Sequence, residues 1–201
     1  MLFRSLADGS SAIFAHLNRG KQGISADLGT GQGRAALEAL LPGVDAIIVQ
    51  LDPAERRLAG IDWEALAAQH PGLVVCEIDD LGPRGPLANL AGSELVVQAL
   101  SGFTRYVGEL NGEPCRVGVE IAGMAAGMHA AHATMAALHW RAVSGKGQYV
   151  RITALKALLS LKTILLAAQS GDTDAWNGFH LNGPRWPADT GWHCRDGQIT
   201  F

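Results

Sequence analysis

The sequence predicts an α/β domain with parallel strands and a long buried helix. Three observations carry this. Two continuous apolar runs, "AIIVQL" at Ala46–Leu51 and "LVVCEI" at Leu73–Ile78, have the length and composition of strands buried on both faces. A helical segment separates them, so they form a βαβ unit with a parallel pair and a right-handed crossover. From Ala122 to Val143 the chain then reads as one long helix full of Gly, Ala and Met. Small residues on all sides require close packing against other helices or backbone.

The elements follow in order. Ile24–Leu28 alternates in polarity and reads as a short strand. Arg34–Leu41 is a helix closed by Pro42 and Gly43. Ala46–Leu51 reads as a central, buried strand. Trp63–Gln69 is a helix ended by "HPG", and Leu73–Ile78 is the second buried strand. "DDLGPRGPLANLAG" is a loop, and Glu94–Leu100 is a short helix. "GELNGEP" makes a turn, and Arg116–Val119 is extended. "SGKGQ" ends the long helix, Tyr149–Thr153 is a strand, and Ala154–Ser170 is an amphipathic helix. Gly171–Cys194 is rich in Trp, Gly and Pro and reads as irregular, before "DGQITF" opens a further strand. No apolar first strand precedes Asn18, and the chain stops inside a strand, so a domain cut at both ends is expected. The division is residues 1–16 as a remnant, 17–170 as the α/β core, and 171–201 as the start of a second, truncated domain.

Bulk composition narrows the function classes. A chain of 201 residues supports one sizeable core without disulfide or metal staples. Its net charge of −3 disfavours nucleic acid, whose binding surfaces carry a basic excess. Cys76, Cys115 and Cys194 are far apart and form no CxxC pair, which points to reduced thiols in a cytosolic protein. The opening "MLFRSLADGSS" lacks the apolar core of a signal peptide. The two most apolar segments carry two histidines and two lysines respectively, so neither reads as a membrane span.

"DLGTGQG", Asp27–Gly33, carries three glycines at alternate positions. The spacing resembles the first motif of S-adenosylmethionine-dependent methyltransferases. In that reading Asp52, just past an apolar strand, would hold the ribose hydroxyls. Against it, the preceding strand is weak and follows directly on polar "NRGKQG", whereas a ligand strand in a doubly wound sheet is strongly apolar. A strand-to-helix turn explains the glycines equally well. His129, His132 and His139 fall on one third of a helix circumference, but only the pair three apart is close, and no acid completes a metal site. They read as core or solvated histidines, and no metal is expected. Cys76 reads as a small buried apolar residue. Trp176, Trp186 and Trp192 read as packing residues.

Read together, the blocks resemble the class III CoA-transferases, the CaiB/BaiF family, which includes formyl-CoA transferase, carnitine CoA-transferase and racemase-like members. Asn18, Arg19 and Lys21 match an Asn-Arg-x-Lys segment. Gly82, Gly85 and Pro86 match a Gly-x-x-Gly-Pro loop. "QALSG", "RVGV" and "SGKGQYV" follow in the family's order, and "HCRDGQITF" resembles its Asp-Gly strand. The resemblance covers Leu17–Phe201; order and spacing carry it, not any single motif. It implies a Rossmann-like domain, a surface turn at Asp27–Gly33, a cytoplasmic homodimer, and acyl-CoA or CoA as substrate with no covalently bound cofactor. Its chemistry is acyl-CoA:carboxylic acid CoA transfer through an aspartate that forms an anhydride and then a CoA thioester.

The same resemblance sets Gly123 opposite that aspartate. Glu120, three residues upstream, is a weak substitute. Arg19 and Lys21, with Asn18, are implied as CoA phosphate contacts, and Gln50 and Leu51 stand where the family contacts CoA. Asp52 replaces a base there and would repel phosphate. Asp79 and Asp80 replace small residues. Glu94 stands where the family often carries an acid, beside Ser93, where racemases place a histidine. The alternative is a non-catalytic scaffold copy that pairs with an active one.

Overall fold

A computed structural model describes residues 11–88, 90–106, 113–162, 192–194 and 197–199. Three parallel strands form its centre: β1 (Ala46–Gln50), β2 (Val74–Asp79) and β3 (Tyr149–Thr153), in the order β1-β2-β3. β1 and β2 pair from Ala46↔Val74 to Gln50↔Ile78, and β2 and β3 pair from Val75↔Tyr149 to Asp79↔Thr153. Every residue of β2 is buried, because both of its edges are paired and both of its faces are covered.

Helices cover the two faces. On one side Cys76 and Ile78 of β2 meet α5 (Glu94–Leu100), α6 (Ile121–Ser144) and α7 (Ala154–Ser160). α6 contributes Ala122, Ala125, Ala126 and Ala130 to that core, and residues this small let the helix backbone lie close to the sheet. On the other side Val75 and Val49 meet Trp63 and Leu66 of α4 (Trp63–Gln69) and Leu37 of α2 (Gly31–Leu40). α1 (Ala12–Leu17) precedes this unit, and α3 (Pro53–Ala59) lies between β1 and α4. β4 (Trp192–Cys194) and β5 (Gly197–Ile199) form an antiparallel pair, the second inside the predicted "DGQITF" strand.

Local chemistry explains the helix starts. Asp52 Oδ1 accepts the Ala54 and Glu55 amides, both at 2.7 Å, while Glu55 Oε2 accepts the Asp52 amide at 2.9 Å. This capping box, with Pro53 in the first turn, fixes the start of α3. Asp62 caps α4 and Ser93 caps α5 by accepting amides of the first turn, without the reciprocal bond. Arg141 binds the Gly72 carbonyl at 3.0 Å and Asp45 at 2.7 Å. It thereby ties the C-terminal part of α6 to the amino ends of β1 and β2, and the N-terminus of α6 lies at the strands' carboxyl ends.

Four expectations need correction. Ile24–Leu28 is not a strand: no strand among the described residues pairs with it, and Ile24 is 72% exposed. Ala46–Leu51 gives β1, but β1 lies at the side of this sheet and β2 takes the centre. An apolar run signals burial, not position in the strand order, and Ile48 is exposed. Arg116–Val119 pairs with no strand. α6 is buried along one face, while Met124, Met128 and Met135 are exposed on the other. α7 ends at Ser160, where the predicted helix continued, and Leu161 and Lys162 form a turn; residues 163–170, most of "GELNGEP", Trp176 and Trp186 lie outside the described residues.

Candidate functional site

Two adjoining cavities open at the carboxyl ends of β1 and β2, where ligands of parallel α/β sheets bind. The larger, about 470 Å³, lies between the β1–α3 turn (Gln50 to Pro53), Arg56 and Arg57 of α3, and the segment from Ile78 to Pro83. The smaller, about 330 Å³, lies between Asp80, Ser93, Glu94 and the start of α6 at Glu120, Ala122 and Gly123. Gln50, Ile78 and Asp80 line both cavities and join them.

The second cavity is organised by Glu94. Its Oε1 accepts the Ala122 amide at 2.8 Å and Gln98 Nε2 at 2.7 Å, and its Oε2 accepts the Gly123 amide at 2.9 Å. A side chain of α5 therefore caps α6, where unsatisfied amides and the helix dipole favour a carboxylate. Gln98, fully buried, also binds the Val117 amide at 2.9 Å and the Val119 carbonyl at 3.2 Å, which fixes the approach to α6. Glu120, by contrast, is exposed and pairs with Arg116.

Beneath the larger cavity lies the buried carboxylate of Glu77. Burial would push it up, but the Tyr149 hydroxyl, Arg151 and Arg56 outweigh burial and hold it below the ordinary carboxylate range. Arg56 reaches it at 2.6 Å and Arg151 at 2.7 Å. Asp79 and Asp80 behave in the opposite sense. Burial pushes Asp79 up, against smaller pulls from Thr153, the Gly82 amide, Arg151 and Arg56. Among the described residues no hydrogen bond of ordinary geometry reaches its carboxylate, and Arg151 stands at 3.8 Å. Asp80 is raised by burial first, then by the charges of Asp79, Glu94 and Asp52.

Of the residues expected to contact CoA, Gln50 and Leu51 line the larger cavity. Asn18, Arg19 and Lys21 line neither cavity. Asn18 follows α1, and its side chain binds Phe14 and Lys21. Gly123 and Glu120 both line the second cavity. Sequence reasoning missed two features. Arg57 stands exposed at the cleft wall and forms no ion pair among the described residues. Its signal was the Asp-Pro-x-Glu capping pattern at Asp52–Glu55, which opens a short helix carrying Arg56 and Arg57 in its last turn. The joining role of Asp80 has no local signal.

The glycine turn closes on itself. The Asp27 carbonyl accepts the Thr30 amide at 3.0 Å and its hydroxyl at 2.8 Å, and Thr30 Oγ1 accepts the Gly33 amide at 3.1 Å to cap α2. A Cβ on Gly33 would overlap the Asp27 carbonyl, so the glycine permits the turn to fold onto itself. Asp52, the ribose ligand of that reading, is occupied by its capping box. His129 binds the Ala125 carbonyl at 2.9 Å and Ser160 at 3.3 Å, and no group of three metal ligands occurs among the described residues. No helix among them is long and apolar enough to cross a membrane.

A three-stranded parallel sheet covered by helices, with cavities at its strand ends, defines a parallel α/β domain. The chain belongs to CoA-transferase family III, whose model matches residues 2–201. It is 36% identical over 171 residues to a succinate–glutarate CoA-transferase of Agrobacterium fabrum, covering 84% of this chain and 42% of that protein. It is 34% identical to a succinyl-CoA–D-citramalate CoA-transferase of Chloroflexus aurantiacus, covering 72% and 36%. A crystal structure of a CaiB/BaiF family protein from Brucella suis superposes with a TM-score of 0.79 at 28% identity, covering 98% of this chain and 53% of that one. The chain thus spans less than half the length of these two curated relatives.

Proposed function

We propose that this chain binds an acyl-CoA thioester in the paired cavities and transfers CoA from one carboxylic acid to another. One observation carries the reading: the cavity at the carboxyl ends of β1 and β2 is walled by Gln50 and Leu51 and shares Gln50, Ile78 and Asp80 with the cavity that Gly123 lines. Those are the positions that the family resemblance assigns to CoA contact and to the reacting carboxylate. In this reading the CoA chain runs along the β1–α3 turn, Arg57 meets a phosphate, and the thioester lies in the second cavity. Dicarboxylates are the substrate class suggested by the relatives that act on succinate, glutarate and citramalate. Two copies of the chain pair in solution, and residues 17–170 form the unit that binds CoA.

Calorimetric titration with CoA and acetyl-CoA, with S-adenosylmethionine as control, tests the binding. Transfer is tested by exchange of labelled succinate into succinyl-CoA. Micromolar CoA binding with exchange is the expected result, and a folded chain that binds neither CoA nor acetyl-CoA refutes the reading. Gly123 favours a second reading, a non-catalytic copy, which predicts CoA binding without exchange.

A further inference from the structure

We propose that Asp80 is the carboxylate that attacks the acyl-CoA thioester; this rests on the transfer reading above. Gly123 brings no nucleophile to the second cavity, and a Cβ there would meet only Glu94 Oε2, at 3.6 Å. The volume a side chain would take is therefore open to the substrate. Any reacting carboxylate has to come from another element that lines the same space.

Six acids line the two cavities, and five are committed. Asp52 and Glu55 close their capping box. Asp79 lies with its side chain 9% exposed beneath the surface and faces Arg151. Glu94 accepts three hydrogen bonds at the head of α6. Glu120 is paired with Arg116 and its side chain is 60% exposed. Asp80 alone lines both cavities and makes no side-chain hydrogen bond or ion pair among the described residues.

Asp80 is also held in place. Its carbonyl accepts the Leu155 amide at 3.0 Å, anchoring it to the first turn of α7. The loop after β2 doubles back so that Gly92 presses on the Asp80 side chain. A Cβ on Gly92 would overlap Asp80 Cβ and lie 2.6 Å from Oδ2, so this packing requires glycine. A half-buried carboxylate with no donor bound to it is poorly solvated. Burial and the neighbouring acids raise its basicity, and greater basicity favours attack at a carbonyl.

The steps balance. An Asp80 oxygen attacks the thioester carbonyl carbon, the C–S bond breaks, and CoA leaves as the thiolate. The thiolate then attacks the Asp80 carbonyl carbon of the resulting anhydride. The acyl group departs as a carboxylate carrying one Asp80 oxygen, and an Asp80–CoA thioester remains. An acceptor carboxylate reverses the two displacements, takes CoA, and restores Asp80.

The test is acid-quenched mass spectrometry of peptides from the full chain incubated with succinyl-CoA, beside the succinate exchange rate. The expected result is a CoA thioester on Asp80 itself, separated from Asp79 by fragmentation. In Asp80→Asn the adduct is absent and exchange falls roughly a thousandfold or more, with CoA affinity within about threefold of the parent. An adduct on Glu94 or Glu120, or one that persists in Asp80→Asn, overturns the assignment and leaves CoA transfer standing. CoA binding without exchange or adduct in the parent overturns both.

Discussion

Replacing Glu94 with alanine tests whether this acid is a cap or a reactant. The substitution removes three acceptor contacts at 2.7–2.9 Å and leaves the Ala122 and Gly123 amides without a protein partner. A hydrogen bond to a charged group contributes about 1.5–3 kcal/mol, and a lost helix cap costs about 0.5–2 kcal/mol. The contacts do not add in full. The Gly123 amide lies on the exposed side and recovers water, and Gln98 Nε2 keeps the Val119 carbonyl at 3.2 Å. The net loss is therefore about 2–4 kcal/mol, a large part of a domain's ~5–15 kcal/mol.

Urea unfolding measures this directly, with the midpoint falling and the slope unchanged. In thermal unfolding the fall is about 5–12 °C for a chain of this size. Glu94→Gln keeps one acceptor oxygen and loses about half as much. A double-mutant cycle with Gln98→Ala gives a coupling near 1 kcal/mol. If Glu94→Ala unfolds within about 0.5 kcal/mol of the parent, α6 does not depend on this cap, and the carboxylate is free for chemistry after all.

Three further outcomes follow from the same geometry. Glu77→Gln leaves Arg56 and Arg151 without their buried counter-charge and costs about 3 kcal/mol near neutral pH. The folded Glu77 carboxyl lies below its ordinary range, so its stabilisation is present above that range and is lost as pH falls through the folded value; urea midpoints of parent and variant therefore converge in acid. Gly33→Ala drives a methyl group into the Asp27 carbonyl and destabilises by about 1–3 kcal/mol. Gly31→Ala, in open space on the same helix, stabilises by about 0.5–1 kcal/mol, and equal effects in thermal melts would show that the turn does not close on itself. Gly123→Asp does not raise exchange, and carboxyl NMR finds the new acid titrating above its ordinary range beside Glu94, an elevation that Glu94→Gln removes.

Much of the scaffold was legible because its signals are local. Asp62 and Ser93 cap helices that begin where the sequence places them, and Val74–Val75–Cys76 is apolar enough to name the buried strand. Ile24–Leu28 misled because alternation describes a strand only when a neighbour supplies hydrogen bonds, and none pairs with it. β1 misled because periodicity carries no information on strand order. The site was less legible than the fold. Glu94 reaches amides 28 and 29 residues away, and Asp80 meets Gly92 through a loop that turns back on itself. Neither contact leaves a spacing to recognise, and the family resemblance pointed to Gly123 without showing what surrounds it.

The two unusual positions at this cleft belong to one electrostatic problem. A carboxylate at Gly123 would stand beside Glu94, whose Oε2 is 3.6 Å from where its Cβ would sit, and both would compete for the same two helix amides. Like charges at that separation disfavour each other by up to ~4 kcal/mol at an effective dielectric near 20, less where water reaches them. Glycine on α6 leaves the amides to Glu94 and keeps the helix start intact. An acid just past β2 lines the same cavity from another element, where no donor among the described residues neutralises it and Gly92 packs against it. The arrangement separates two tasks: Glu94 holds the helix, and Asp80 stays unpaired, as an attacking carboxylate must be.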